Sequence, residues 1–224
     1  MIRAVLFDLD GTLLNTAPDL VGALNFVREH EGLPAVDWRE FKHFASRGAL
    51  GLIDGGLPGA RTEQNNQRKA MLLEHYAQNI YKNTRPFDGI MDLIEALRVR
   101  AIPWGVVTNK PEYLTLPLLL KAGLSQLASC VICGDTLSHS KPHPAPVRLG
   151  CELLGVSSEC CLMVGDDLRD LQAGKAAGTL TALAAYGYLE PGWKSPDPPP
   201  DWHVDSPSQL LDLIEQQGGP HLPV

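Results

Sequence analysis

Val5-Leu6-Phe7-Asp8-Leu9-Asp10-Gly11-Thr12-Leu13-Leu14 decides how this chain is read. A run of strand-forming apolar residues from Ala4 to Phe7 stops at two carboxylates one residue apart, followed by a Gly and a Thr. A buried carboxylate without a partner is heavily penalised, so such a pair does not end a core strand without a reason. The carboxyl ends of parallel strands are where open α/β sheets place their ligands. Two acids there can share a hard cation, or one can attack while its neighbour moves protons. A strand running into an Asp-rich turn is the alternative that this segment alone leaves open.

Outward from that segment, the pattern is first helical and then strictly alternating. Leu20, Leu24 and Val27 at helical spacing, after Thr16 and Pro18, predict a helix over 17–31. Two more helices are expected over 37–54 and 62–83, separated by Gly55-Gly56-Leu57-Pro58-Gly59, with no second strand before residue 84. Beyond Thr84-Arg85-Pro86-Phe87-Asp88-Gly89, helices are expected over 90–100, 113–121, 144–154 and 168–177. Strands are expected over 104–108, 130–133, 161–164 and 179–184. This alternation predicts an α/β fold, a Rossmann-like doubly wound parallel sheet. Residues 1–15 and 84–224 would form the core domain and residues 16–83 an inserted α-helical cap. An insertion at the carboxyl end of the first strand would lie over the active edge as a lid does. The stretch 190–202, with five prolines, reads as an extended surface loop, and 218–224 as a frayed tail.

Composition narrows the function classes. The 224 residues are 44% hydrophobic and 20% charged, which suits a globular protein with a full core. A net charge of −7 argues against a nucleic-acid partner, which requires a basic surface. A small anionic substrate fits only if a local cluster of cation and metal offsets that field. Met1-Ile2-Arg3 runs straight into the acidic strand, so no signal peptide is read there, and no uncharged apolar run approaches the ~20 residues that span a bilayer. The expectation is a cytoplasmic protein, monomeric or homodimeric, with no membrane partner. Cysteines stand at 130, 133, 151, 160 and 161. Cys130-x-x-Cys133 could suggest redox or zinc chemistry, but Val131 and Ile132 read as strand, which would turn the two thiols to opposite faces. Reduced, structural thiols are expected.

Three later strand ends also carry polar groups. Val106-Val107-Thr108-Asn109-Lys110-Pro111 offers a hydroxyl and backbone N–H groups at a helix start, which suit phosphate oxygens or a simple N-cap. Ser140-Lys141-Pro142 places a Lys between a strand and a Pro-initiated helix, where it can neutralise phosphate charge. Gly165-Asp166-Asp167-Leu168-Arg169-Asp170 packs three carboxylates after a buried strand, and these repel one another unless a cation bridges them. An acidic helix start explains one or two of them but explains Asp166 poorly.

With these motifs in order, the chain resembles the haloacid dehalogenase superfamily of aspartyl-phosphate hydrolases. The resemblance rests on Asp8-x-Asp10-x-Thr12, Thr108, Lys141-Pro142 and Gly165-Asp166-x-x-x-Asp170, and covers essentially the whole chain. It is similar to the phosphoglycolate phosphatase-like branch. Through Arg85-Pro86-Phe87-Asp88-Gly89 and Trp104-Gly105-Val106-Val107-Thr108-Asn109-Lys110-Pro111 it looks closer still to the N-acetylmuramic acid 6-phosphate phosphatases of peptidoglycan recycling.

The resemblance implies roles. Asp8 would attack phosphorus, and Asp10 would protonate the leaving alcohol and then activate water. Magnesium would be held by Asp8, the backbone carbonyl of Asp10 and Asp166. Asp167 and Asp170 would orient its waters. Thr108, the Asn109 amide and Lys141 would hold the phosphoryl oxygens. Thr12 would brace the loop. Substrate choice would lie in the cap segment Phe44-Ala45-Ser46-Arg47-Gly48-Ala49, where Arg47 could read a substrate carboxylate or stand as an exposed helix Arg. The alternatives are a phosphoglycolate phosphatase proper, a sugar phosphomutase and, from a different class, a catalytically silent binding protein of the same fold. The intact acids and Lys141 speak against the silent protein.

Overall fold

Residues 1–59 and 62–217 are described in a computed structural model. Strand β1 (Ala4–Phe7) is buried at every position because it lies inside a sheet covered on both faces. It is followed by β2 (Leu14–Asn15) and four helices: α1 (Ala17–His30), α2 (Trp38–Ala45), α3 (Gly48–Gly56) and α4 (Thr62–Gln78). β3 (Arg85–Pro86) returns the chain to α5 (Ile90–Val99), β4 (Trp104–Val107), α6 (Glu112–Lys121) and β5 (Cys130–Ile132). Next come α7 (Ala145–Leu153), a 3-10 turn (Ser158–Cys160), β6 (Cys161–Gly165), α8 (Leu168–Ala177) and β7 (Leu180–Ala184). β8 (Trp202–Val204) and α9 (Pro207–Gln216) complete the described chain.

Six strands form one parallel sheet in the order β5-β4-β1-β6-β7-β8, the doubly wound arrangement that the sequence pattern predicts. Phe7 pairs with Val106 on one side and Val164 on the other, so β1, β4 and β6 end side by side. That register places Asp8, Thr108 and Asp166 along one edge. The topological switch lies at β1, with crossovers leaving in both directions, and the sheet therefore opens a crevice there.

Several expectations require correction. Residues 37–54 form two helices rather than one, because the chain breaks at Ser46-Arg47 and Gly48 adopts φ +69°. Gly55-Gly56 belongs to α3 rather than to a linker, and the bare Gly56 face packs on Leu24 of α1. α4 ends at Gln78, short of residue 83. A second strand does precede residue 84: Leu14 and Asn15 pair antiparallel with Pro86 and Arg85. This ribbon closes the base of the helical segment. Buried Asp19 secures it by accepting hydrogen bonds from the Asn83 and Thr84 amides and the Thr84 hydroxyl (2.8, 3.0 and 2.7 Å). The 190–202 stretch is extended as expected, except that Trp202 opens β8. Residues 218–224 lie outside the described residues. All five cysteines are free, and burial pushes the Cys130 thiol up to about 11, away from reactivity.

Candidate active site

Asp8, Asp166 and Asp170 are each buried and offer carboxylate oxygens that all lie within 4.8 Å of one another. Asp8 follows the last residue of β1, and its amide donates to Val164 O of β6 (2.9 Å), so the sheet itself sets its position. Asp166 leaves the end of β6. Its Oδ1 accepts from the Thr12 hydroxyl (3.0 Å) and its Oδ2 from the Tyr188 amide (2.9 Å). Thr12 thus braces an acid as well as its own loop. Asp170 sits in the first turn of α8, where it also accepts from the Asp167 amide (3.1 Å) in a capping box.

Lys141 holds these acids together. Its Nζ lies 2.7 Å from Asp8 Oδ1, 2.7 Å from Asp170 Oδ1 and 2.6 Å from Val107 O. Burial works against the Lys141 cation, but Asp170 and Asp8 outweigh it and lift its pKa to about 12. Burial, followed by the neighbouring Asp8 and Asp170 charges, raises Asp166 well above the usual carboxylate range. Burial likewise raises Asp170 to about 7 despite the Lys141 cation. One lysine does not neutralise three carboxylates, so the cluster has room for further positive charge.

Asp10 faces a different set of partners. Its Oδ1 accepts from the Thr16 hydroxyl (2.6 Å), and Lys110 Nζ lies 3.1 and 3.3 Å from its two oxygens. Thr108 lines the same cavity as Asp8 and Asp10, and its Oγ1 accepts from the Lys110 amide (3.2 Å). The Asn109 side chain grips the Lys141 backbone through two bonds, to its carbonyl and from its amide (2.8 and 2.9 Å). Asn109 therefore connects the loops after β4 and β5, with its own backbone N–H left beside Thr108.

The cap supplies the roof. The cavity of about 350 Å³ over Asp8 and Asp10 is lined by Ser46, Arg47, Gly48, Ala49, Leu50, Lys69 and Leu73 of the helical segment. Arg47 pairs with Glu190, and Arg169 pairs with Asp167 (2.8 Å) while also reaching Ser46 O. Arg169 outweighs burial and holds the Asp167 carboxyl below its ordinary range. Asp167 is thus engaged by its own helix rather than turned to the acid trio. Among the described residues that line this cavity, Lys69 has no acidic partner. A second recess of about 640 Å³ adjoins the cavity, between Asp166, Arg47 and the Tyr188–Lys194 segment.

Sequence reasoning missed Lys110, Lys69, Arg169 and the segment Tyr186-Gly187-Tyr188. Tyr186 donates to Thr12 O (3.1 Å), and Tyr188 accepts from the Ala17 amide (2.8 Å), so this segment clamps the start of the cap to the acid loop. Lys110 could have been suspected from its place just beyond Thr108. The others carry no local signal.

A family model described as haloacid dehalogenase-like hydrolase matches residues 2–178. An N-acetylmuramic acid 6-phosphate phosphatase of Pseudomonas aeruginosa is 37% identical over 221 residues, covering 96% of this chain and 96% of its own. A phosphoglycolate phosphatase of Xylella fastidiosa is 36% identical over 220 residues, covering 98% of this chain and 90% of its own. The crystal structure of a predicted phosphoglycolate phosphatase from Haemophilus somnus shares the fold with a TM-score of 0.83 at 27% identity, over 95% of this chain and 98% of that one. Strand-end acids in this order, a lysine between them, and a family match across most of the chain agree: the protein belongs to the haloacid dehalogenase-like hydrolase family.

Proposed function

We propose that this chain is a magnesium-dependent phosphomonoesterase that works through an aspartyl-phosphate on Asp8. Its proposed substrate is N-acetylmuramic acid 6-phosphate, in the cytoplasmic recycling of peptidoglycan. The observation that carries the reading is the Asp8 carboxylate at the floor of the cavity, with one oxygen held by Lys141 at 2.7 Å and Asp10 on the same wall. The donor set suits a small hard cation, because three buried carboxylates converge with a single lysine to balance them. Asp8 and Asp166 would hold magnesium together with the Asp10 carbonyl, and Asp170 stands close enough to bind it or its waters. When bound, magnesium supplies charge neutralisation at the phosphoryl oxygens.

The chain's own groups do the rest. Lys141 fixes one Asp8 oxygen and leaves the other to attack phosphorus, and the bond from phosphorus to the leaving oxygen breaks. Asp10 gives its proton to that oxygen. Asp10 then takes a proton from water, the water oxygen attacks phosphorus, and the bond to Asp8 breaks to release phosphate. Thr108, the Asn109 N–H and Lys141 hold the phosphoryl oxygens while charge redistributes.

The cavity supports a sugar phosphate over phosphoglycolate. About 350 Å³ over the acids, with a second recess beside it, exceeds what a two-carbon acid fills. Leu20, Leu50, Leu73 and Leu114 give the wall an apolar face for a sugar ring. The test is a comparison of kcat/KM on the two compounds with magnesium and with chelator. Higher kcat/KM on N-acetylmuramic acid 6-phosphate supports the reading, and preference for phosphoglycolate overturns the substrate. Activity undiminished by chelator overturns the metal.

A further inference from the structure

Lys110 is almost wholly enclosed, with 6% of its side chain exposed, and its surroundings are unlike those of a phosphate-binding lysine. Its Nζ spans both oxygens of Asp10 at 3.1 and 3.3 Å on one side. On the other it lies 4.5 Å from the centroid of the Tyr76 ring, on cap helix α4. Tyr76 is itself fully buried, and its hydroxyl has no hydrogen-bond partner among the described residues. Tyr76 is thus a group through which α4 meets this lysine. The Lys110 backbone is equally fixed: its carbonyl accepts from the Gly134 amide (2.9 Å) and the Thr115 hydroxyl (3.2 Å).

We propose that Lys110 is a positioning residue that ties the acid–base group Asp10 to the cap through the face of Tyr76, so that Asp10 is aligned for proton transfer when α4 covers the site. The proposal rests on the assignment of Asp10 as the group that serves the leaving oxygen. Among the described residues Asp10 has one further side-chain anchor, the Thr16 hydroxyl at 2.6 Å, and Thr16 lies at the entry to the cap. Both anchors therefore belong to the cap or touch it. A cation between a carboxylate and an aromatic face is attracted to each at once, and it gains most where water is excluded. Withdrawal of Tyr76 would open Lys110 to water and slacken its hold on Asp10. Proton transfer is sensitive to such slack, since it needs the donor within hydrogen-bond reach of its target.

The role leaves a signature that a merely structural lysine would not. Nitrophenolate leaves phosphorus without a proton, whereas an alkoxide needs one. Lys110→Met keeps the length of the side chain and removes the cation. The expected result is a kcat/KM on a sugar or other alkyl phosphate that falls about tenfold or more beyond its fall on 4-nitrophenyl phosphate, with affinity for inorganic phosphate retained. Tyr76→Leu, which removes the ring face, is expected to move the ratio in the same direction, and the double variant to move it no further than Lys110→Met alone. If Lys110→Met does not fold, the ratio in Tyr76→Leu carries the test by itself. Equal losses on both substrates, or weakened phosphate binding in place of the ratio change, would overturn the proposal. Wild-type protein inactive on both phosphates would overturn the phosphatase reading instead, so the two failures are distinct.

Discussion

Lys141 and Asp8 meet 2.7 Å apart although 133 positions separate them in the chain. The contact joins the loop after β5 to the end of β1, and the same ammonium reaches Asp170 of α8 at 2.7 Å. A lysine this buried has no solvent to fall back on. Its charge and those of the two acids depend on one another.

That dependence separates two variants of one contact. Asp8→Asn removes the nucleophile but keeps its shape and relieves repulsion within the acid cluster. We predict complete loss of turnover with an unfolding temperature equal to or above that of the wild type. Lys141→Met also removes activity, but it strands two buried carboxylates and is predicted to cost roughly 3–5 kcal/mol of stability. Activity assays with thermal unfolding of both variants check this. Ordinary turnover by Asp8→Asn would sink the mechanism.

Stability without metal should fall as pH rises. Burial raises the folded-state pKa of Asp170 to about 7 from an ordinary 3.8, and it raises Asp166 well above the same value. A group whose pKa is raised on folding contributes fully below its unfolded pKa, and that contribution is lost as pH climbs through the folded value. The metal-free protein is therefore predicted to lose stability between about pH 4 and 7, by at most ~1.4 kcal/mol per pH unit for each such group. If magnesium binds as proposed, it would replace those protons, so its stabilising effect should grow over the same interval. Unfolding temperatures measured against pH with magnesium and with chelator test this. A flat metal-free profile, or one rising with pH, contradicts it.

The strand-end acids were legible because burial makes a carboxylate after an apolar strand conspicuous wherever it occurs. Lys141 was legible for a related reason, since it sits between a strand and Pro142 in an otherwise polar loop. Lys110 was legible only in its place beyond Thr108, because its contact with Tyr76 comes from a helix over thirty residues away. The ribbon of β2 and β3 has two residues per strand, too few for alternation to show. The terminal helix did leave a trace in Ser206-Pro207 and in the spacing of Leu210, Leu213 and Ile214, but the proline-rich stretch before it masked the return to regular structure.

The cation that reads a substrate carboxylate is predicted to be Lys69 rather than Arg47. The sequence left Arg47 either as the reader of a substrate carboxylate or as an exposed helix Arg, and the fold engages it with Glu190. Lys69 lines the same cavity with no acidic partner among the described residues. Lys69→Gln is expected to raise KM about tenfold for a phosphate ester carrying a carboxylate, an amount in keeping with the loss of one charge-assisted contact. For 4-nitrophenyl phosphate, which has no carboxylate, KM should change little. Steady-state kinetics on both compounds decide it, and a selective KM defect in Arg47→Gln with none in Lys69→Gln restores the first reading.

Gly187 provides the most local test of the metal-binding role proposed for Asp166. A Cβ there would fall 2.3 Å from Gly11 O and 2.4 Å from Asp166 Cβ, closer than such atoms ever approach. Neither neighbour can yield cheaply. Gly11 holds φ +87° in the acid loop, and Asp166 is pinned by Thr12 and by the amide of Tyr188, the residue next to Gly187. Gly187→Ala must therefore push Asp166 out of line with Asp8 or lift the Tyr188 segment from the cap. We predict about 1–3 kcal/mol of destabilisation from overpacking. The magnesium midpoint of activity should also shift upward by roughly 10–100-fold, the scale on which misplaced supporting groups weaken metal sites. Magnesium titrations of activity and of unfolding temperature report on this directly. A wild-type midpoint in Gly187→Ala would mean that the metal-binding role proposed for Asp166 does not depend on this contact.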